Sequence, residues 1–417
     1  MRSTNVRESA LSKLLAFAFQ PAFDNDHTAA EMVFWGDALT TVPPHELQRV
    51  MASEDAAIKY NAWFLFDWEL EGGGTPAEVF LRNAESVTPA ERDYITRVGQ
   101  APLRLYEVED VHPGRGLILV DLWSGERAAV VERTASTQIV RWDLLAARVA
   151  ADGRGGHMLE GGVYLYPFGE RDAILRHLRR VYRRYARRSP AGGDMGFFRA
   201  CGTLFHHFWL QLVAFPQPPQ VSTPDGEPLM FCRVIFDAPQ VAQVQALLSE
   251  QADIQAGPGG DFSWTAVSHE GVREVGRWYV EGHRLVFETT SQGRAARARA
   301  WLEALAGPLV TYRATGLETL EQALDAIRRS GAGQRPDWGD PGAVREVFDR
   351  HYREWLDRPN REFGDRTPRA AARLARLRAR LTRRLKQLEN DSARAALGGQ
   401  PPYDFGWLWK ELRLDRP

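Results

Sequence analysis

The densest local signals of the sequence lie in its tail, where residues 340–371 read DPGAVREVFDRHYREWLDRPNREFGDRTPRAA. The opening aspartate–proline pair is typical of a helix start, because aspartate caps free N–H groups and proline fits the first helical position. Apolar residues follow at helical spacing until Pro359, and Thr367 with Pro368 repeats the start signal. The stretch predicts two helices joined by a compact turn.

The second of these helices carries a leucine seam on a basic background. Five leucines recur every three or four residues, at positions 374, 377, 381, 385 and 388. Residues 366–389 hold nine basic side chains against one glutamate, a net charge of +8. Such a seam pairs with another helix or docks on its own protein. We expect docking, with Trp407 and Trp409 folding back over the seam; contact with phosphate groups is the alternative.

Length and composition indicate several folded domains. The chain has 417 residues, 44% of them hydrophobic, and a formal net charge of -1. Arginine supplies all but four of the 53 basic side chains, and its planar guanidinium suits two-pronged contacts with carboxylate or phosphate. A GC-rich coding sequence produces the same bias, so the arginine content alone decides nothing.

The residue types present exclude several classes of protein. Cys201 and Cys232 are the only cysteines, too few for a disulfide framework or a four-thiolate zinc site. No apolar run approaches the roughly 18 residues of a membrane-spanning helix, so we expect a cytoplasmic protein without a membrane partner. The phosphate-loop, dinucleotide, zinc-protease and nucleophile-elbow motifs are absent. We therefore assign no catalytic residue, cofactor or metal ligand; whether the chain is an enzyme stays open, with a non-enzyme favoured.

Two regions precede the basic segments of the chain. Residues 1–100 predict an acidic helical domain; up to position 110 there are 18 acidic and 9 basic side chains, a net charge of -9. Residues 101–168 change to a period of two and predict five short strands, a small β-barrel of the OB or SH3-like kind. Such barrels often bind nucleic acid, and Tyr106, Trp123 and Trp142 suit either base stacking or a core.

Residues 169–222 predict a basic helix followed by a buried helix over 197–215. The basic helix, from Arg171 to Arg188, holds eight arginines and one aspartate, a net charge of +7. Its arginines either grip phosphates or form a solvated face against the acidic domain, and the second is the simpler interpretation. The candidate nucleic-acid contacts on the two basic helices are Arg176, Arg179, Arg183, Arg187, Arg376, Arg380 and Arg383.

The last two regions complete the fold class. Residues 223–335 predict a module with the element order β-α-β-β-β-α-β, close to the ferredoxin-like plan. Residues 336–417 form the helical tail. The sequence therefore predicts an α+β, multidomain protein with a helical N-terminal region, a small barrel, a ferredoxin-like module and a helical C-terminal tail.

Histidine and carboxylate residues do not form a recognisable metal or catalytic motif. The nearest to a metal site is the group Asp24, Asp26, His27 and Glu31. Its spacing fails the EF-hand pattern, so helix capping is the simpler interpretation. His206 and His207 are neighbours and diverge on a helix, which favours packing. A meeting of His283 with the histidine and glutamate at positions 269 and 270 is the remaining catalytic hypothesis.

Residues 355–371 resemble the toxin-binding domain of Xre/MbcA/ParS-type antitoxins. The similar features are the tryptophan–leucine pair, the proline and asparagine before a glycine turn, and the threonine–proline helix start. The chain departs from that pattern because no helix-turn-helix reader precedes the segment and the following helix is longer and more basic. The resemblance implies a protein partner contacted by Trp355, Pro359, Phe363, Gly364, Arg366, Thr367 and Pro368.

A wider resemblance joins five stretches to a family of bacterial proteins that often end in a SEC-C zinc-binding motif. The stretches are 63–67, 106–149, 223–229, 285–294 and 403–412. This chain lacks the cysteine-rich motif, so the resemblance implies no zinc. It also implies no activity, because the family has none that can be carried over.

The sequence favours a non-enzymatic binding or adaptor protein with an unknown protein partner. The alternative is a nucleic-acid-binding protein that uses the barrel and the two arginine helices; a hydrolase with a cryptic site comes third. The adaptor hypothesis assumes that the acidic N-terminal charge neutralises both basic helices. It predicts weak binding to random duplex DNA or RNA.

We expect the purified protein to contain no stoichiometric zinc. Two distant cysteines and scattered histidines do not supply the closed tetrahedral set that structural zinc requires. Elemental analysis of the protein after dialysis measures the metal content. One tightly held zinc per chain would overturn this expectation.

Overall fold

The computed structural model describes residues 2–83, 86–216, 223, 227–257, 260–268, 271–319, 322 and 341–416. The chain divides into two compact units: Met1–Pro216 together with Asp337–Pro417, and Gln217–Pro336. The first unit contains helices, a barrel and the tail, and the second contains a sheet with helices. The predicted α+β multidomain fold is confirmed.

The described part of the N-terminal region is helical, as predicted. Its helices are α1 (Arg2–Ala18), α2 (Asp24–Trp35), α3 (Ala38–Thr41), α4 (Pro44–Met51), α5 (Glu54–Phe66), α6 (Pro76–Asn83) and α7 (Pro89–Gln100). Helix α7 begins with a capping box, in which Thr88 and Glu91 each accept a hydrogen bond from the other's backbone N–H. Phe34, Trp63 and Phe64 pack together in the helical core.

A closed five-stranded barrel follows the helices. Its strands are β1 (Leu103–His112), β2 (Gly116–Asp121), β3 (Arg127–Val131), β4 (Leu144–Ala151) and β5 (His157–Tyr166). The order around the barrel is β1-β2-β3-β5-β4, and β1 closes on β4. Strands β3 and β5 pair in parallel and the other pairs are antiparallel. Of the two barrel kinds predicted, this is the OB arrangement.

Helices α8 (Arg171–Arg188), α9 (Gly193–Ala200) and α10 (Thr203–Trp209) share a core with the barrel. The single buried helix predicted over 197–215 is interrupted at Cys201 and Gly202, and it ends in a π-helical turn, Leu210–Ala214. At the interruption Gly202 lies against the indole of Trp63, where an added Cβ would be 3.3 Å from the ring. Close packing on α5 therefore accompanies the break.

Within the residues described, the second unit consists of one antiparallel sheet and two helices. Its strands are β6 (Met230–Asp237), β7 (Ile254–Ala256), β8 (Phe262–Ser268), β9 (Gly271–Glu281), β10 (Arg284–Thr289) and β11 (Thr311–Thr319); its helices are α11 (Val241–Ser249) and α12 (Gln292–Ala306). The strand order is β11-β6-β10-β9-β8-β7. The predicted element order omitted β7, whose three residues are too few to show a period.

The tail folds as the helices α13 (Pro341–Asp357), α14 (Pro368–Arg373), α15 (Ala375–Leu397) and α16 (Gly406–Glu411). The predicted docking of the leucine seam is confirmed, because Trp409 and Phe405 pack in one core with Leu381 and Leu385. Trp409 is 2% exposed, whereas Trp407 is half-buried. The sequence predicted one helix after Pro368, and the extended backbone of Leu374 divides it into α14 and α15.

We expect Trp409→Ala to lower the free energy of unfolding by about 3–5 kcal/mol, the usual cost of truncating a buried aromatic side chain. Trp407→Ala, on the same helix and less buried, is the matched control and should cost clearly less. Denaturant unfolding followed by circular dichroism measures both variants. Equal losses would show that burial of Trp409 does not decide the stability of the tail.

Candidate anion-binding surface

Helix α8 separates its apolar side chains from its basic ones. Ile174, Leu175 and Leu178 are buried in the core shared with the barrel. This burial orients the helix, so the residues on its other side meet solvent. The exposed arginines are Arg176, Arg179, Arg180, Arg183, Arg184, Arg187 and Arg188.

Four of these arginines form a stripe along one face of α8. Residues four, seven, eleven and fifteen positions after Asp172 share its side of the helix, because a turn takes 3.6 residues. They are Arg176, Arg179, Arg183 and Arg187. At 1.5 Å per residue the stripe is about 16 Å long.

Helix α15 continues this surface. Arg383 pairs with Asp172 at 3.1 Å, so the striped face of α8 meets the Arg383 face of α15. Arg376 and Arg380 lie seven and three residues before Arg383 and share its helix face. The seven arginines predicted as nucleic-acid contacts thus lie on two helix faces that meet at one ion pair, in which Arg383 takes part. We call these seven arginines the basic surface.

Most arginines of α8 have no carboxylate partner among the described residues. Arg171 pairs with Glu107 at 3.0 Å and with Asp172 at 3.1 Å. Around the other seven, no described carboxylate lies within 4.0 Å. Among the described residues, the acidic N-terminal domain supplies no close ion pair to these seven, because the helix packs its apolar side on the barrel and several N-terminal carboxylates pair elsewhere. Glu91, for example, pairs with Lys13 at 2.9 Å.

The side chain of His177 responds to this concentration of charge. Partial burial, and then the charges of Arg180 and Arg184, lower the pKa of its imidazole. An imidazole among arginines resists protonation because a further cation there would be repelled. Burial and the neighbouring arginines thus act in the same direction, both favouring the neutral form of the His177 side chain.

The later cations of α15 hold the helix on the barrel. Lys386 lies 2.5 Å from the carboxylate of Glu107, Asn390 donates to Asp143 at 2.8 Å, and Arg394 also pairs with Asp143. Glu107 and Asp143 are 5% and 2% exposed, and buried carboxylates require such partners. The second half of α15 is thus structural, and its first half belongs to the basic surface. Sequence spacing gave no signal for these anchors.

The barrel aromatics are core residues, so the base-stacking alternative is wrong. Trp142 is 1% exposed, and the Nζ atom of Lys386 lies 4.0 Å from the centre of its ring. Its indole N–H donates to Glu389 at 2.7 Å. Tyr106 is also buried. Trp123 packs among the aromatic rings of α8 and α9.

The antitoxin-like segment of the tail is a folded turn. Asn360 accepts a hydrogen bond from the N–H of Glu362 and pairs with Arg366 through the backbone. Gly364 has φ 66°, which favours glycine. Of the predicted partner contacts, Phe363 and Pro368 are buried, Trp355 and Thr367 are half-buried, and Pro359, Gly364 and Arg366 are exposed.

The other candidate clusters take part in packing or lie exposed. Asp26 accepts a hydrogen bond from the indole of Trp68 at 3.2 Å, and His27 stacks on Phe64 with 4.0 Å between ring centres. Within the part of the chain that the structure describes, no three histidine, cysteine or carboxylate side chains converge on a metal position. His283 is exposed in its turn. Positions 269 and 270 lie outside the described residues.

His206 is buried, which confirms its predicted packing role. Its ring stacks on Phe34 with 3.7 Å between ring centres, and neither ring nitrogen has a hydrogen-bond partner among the described residues. Burial, followed by the charges of His207 and Lys59, holds the pKa of His206 well below its ordinary value. A neutral imidazole therefore occupies this core.

Comparisons with known proteins give no family for the chain. Neither a protein-family model nor a curated protein matches it. In the ranges described above, no helix combines the length and the apolar character that crossing a membrane requires. The two resemblances stated from the sequence stay predictions.

We expect the stability of the first unit to fall as the pH drops below about 6.5, the ordinary pKa of histidine. Below that pH the histidine is protonated in the unfolded chain but stays neutral when it is buried in the folded protein. The free energy of unfolding therefore decreases between about pH 6.5 and the lower pKa of His206 in the folded state. Melting temperatures at neutral and mildly acidic pH measure the loss, which His206→Phe should reduce. The exposed His45→Phe is the control; an equal pH dependence in both variants would assign the effect to other groups.

Proposed function

We propose that this chain is a nucleic-acid-binding protein whose basic surface grips the phosphate backbone of a duplex. The proposal rests on the stripe of α8: Arg176, Arg179, Arg183 and Arg187 share one exposed face, and no described carboxylate lies within 4.0 Å of any of them. Like charges one turn apart repel each other. A row of this kind is stabilised when a polyanion supplies the missing negative charge.

The dimensions of the stripe suit a duplex. Double-stranded DNA carries one negative charge per roughly 1.7 Å of its axis, so a stripe about 16 Å long faces several phosphates. Guanidinium groups contact phosphates with two parallel hydrogen bonds. Arg376 and Arg380 add contacts from a second helix beyond the pair of Asp172 with Arg383.

The surface suits contact with the backbone more than reading of the base sequence. Tyr182 and Tyr185, the tyrosines of α8, are half-buried and pack against the core, with ring centres 5.1 and 5.6 Å from that of Phe197. Recognition of bases requires side chains that enter a groove or rings that stack. We therefore expect binding with little sequence preference and a strong dependence on salt.

A protein adaptor with an acidic partner is the competing hypothesis. The same arginines bind carboxylates as readily as phosphates, and the exposed residues of the tail turn offer a second contact. The condensed counterions of a duplex distinguish the two, because their release makes duplex binding weaken steeply as salt rises.

Two matched variants of α8 test the proposal. The stripe variant combines Arg179→Glu, Arg183→Glu and Arg187→Glu. The control combines Arg180→Glu, Arg184→Glu and Arg188→Glu, which is the same charge change on the neighbouring face of the same helix. Fluorescence anisotropy with labelled random-sequence duplexes of DNA and RNA measures affinity between about 50 and 200 mM salt. We expect the stripe variant to lose about 0.9 from the slope of log affinity against log salt for each phosphate contact removed.

The control variant should keep most of the affinity and most of the slope. Equal losses in both variants would show that the stripe is not a defined binding face. Failure of the unaltered protein to bind either duplex, with retained binding of poly-glutamate, would overturn the proposal in favour of the adaptor hypothesis.

A further inference from the structure

A cleft opens at one end of the barrel, next to the C-terminus of α7. Its volume is about 340 Å³, which lies within the range of about 300–1,000 Å³ that small-molecule sites occupy. The end of α7 and the two residues after it form one wall. The starts of β1, β3 and β5 and the ends of β2 and β4 form the other. We call this space the barrel cleft.

The hydroxyl of Tyr106 lies in the barrel cleft without a partner. Tyr106 is 6% exposed, and its ring packs in the barrel core with Val108 and Leu145. In the part of the chain that the structure describes, no group hydrogen-bonds to this hydroxyl, which keeps its contact with solvent in the cleft. Burial raises the pKa of the phenol, so the hydroxyl stays protonated. Buried tyrosine hydroxyls usually have a hydrogen-bond partner, and a ligand in the cleft would supply the one that is missing here.

The arginines that line the cleft are already neutralised. Each of the three forms an ion pair at 3.0 Å or less; the pairs are Arg97 with Asp93, Arg104 with Asp121, and Arg127 with Glu109. A guanidinium paired with a carboxylate is not free to balance the charge of an anionic ligand. The cleft is therefore polar without being a site for anions.

Other groups of the cleft keep free hydrogen-bonding capacity. Arg104 donates to Asp121 through Nη1 alone, so its remaining N–H groups have no acceptor among the described residues. The amide of Gln100 and the imidazole of His157 have no hydrogen-bond partner there either. The exposed carboxylate of Glu126 adds an acceptor at the rim. Donors and acceptors thus line the cleft together.

These features select the chemistry of the ligand. A planar ring requires a flat aromatic face on which to stack, and the ring of Tyr106 is packed inside the barrel core. An apolar molecule would remove the polar groups from water without giving them partners. A compound with several hydroxyl groups satisfies them, because each hydroxyl both donates and accepts.

We propose that the barrel cleft binds a small uncharged polyhydroxyl compound of the size of a monosaccharide or a cyclic polyol. One hydroxyl of the ligand pairs with the hydroxyl of Tyr106, and its neighbours reach Arg104 and Gln100. The proposal is independent of nucleic-acid binding, because it uses none of the arginines of the basic surface.

Calorimetric titration of the full chain with five probes tests the chemistry of the cleft. D-glucose, D-ribose and myo-inositol are uncharged polyols; inorganic phosphate is an anion, and benzyl alcohol is an aromatic ring with one hydroxyl. We expect at least one polyol to bind about tenfold or more tightly than phosphate and benzyl alcohol. A smaller difference, or no binding of any polyol, would overturn the proposal.

Two tyrosine variants locate the binding. Tyr106→Phe removes a hydroxyl that has no protein partner, so it should weaken the best polyol by about fivefold or more and leave the melting temperature unchanged. Tyr166→Phe is the matched control, because its buried hydroxyl donates to the backbone oxygen of Phe205 at 2.7 Å. It should lower the melting temperature and keep the affinity.

A third variant probes the opposite wall of the cleft. Gln100→Ala changes an exposed side chain and should weaken the same polyol by about twofold or more. Full affinity in Tyr106→Phe, or an equal loss in Tyr166→Phe, would place the polyol outside the cleft and refute the proposal.

Discussion

The carboxylate of Glu389 joins the barrel to the tail. It accepts the indole N–H of Trp142 and that of Trp409, each at 2.7 Å, and it pairs with Arg416 at 3.1 Å. Its side chain is 9% exposed, so each of these partners offsets the cost of removing a charge from water. The position of α15 follows from this contact. With α15 in place, Arg383 reaches Asp172, and the basic surface becomes continuous.

Position on the helix divides the positive charges of α15 between two roles. Lys386 and Arg394 are directed to the nearly buried carboxylates of the barrel, whereas Arg376 is exposed. The net charge of the segment does not show which of its cations pair with buried carboxylates and which are exposed. The net charge of -1 fits internal compensation of the basic helices, but a carboxylate forms an ion pair only with a cation that the fold brings close to it.

Local patterns predicted the elements, and contacts between distant residues decided the site. Apolar residues repeat every two residues in the barrel strands and about every 3.6 residues in α8 and the tail helices. These repeats predicted the elements, because an element that buries one face has apolar residues at regular spacing in its own sequence. Glu107 and Asp143 gave none, since their partners Lys386 and Arg394 are 279 and 251 residues away along the chain. Trp142 was ambiguous for the same reason. A tryptophan side chain suits base stacking as well as a core, and contact with α15, which is distant in sequence, places Trp142 in the core.

The first unit is built from two segments of chain with the second unit between them, and this order has a consequence during synthesis. A ribosome adding about 5–20 residues per second needs about 12–50 seconds to pass from Asp143 to Arg394, 251 residues later. Through that interval the nascent barrel holds Asp143 without Arg394, and Glu107 has Arg171 but not yet Lys386. The contacts between these carboxylates and α15 therefore form only after translation of the second unit. The emergence of α15 sets the moment at which the basic surface first exists.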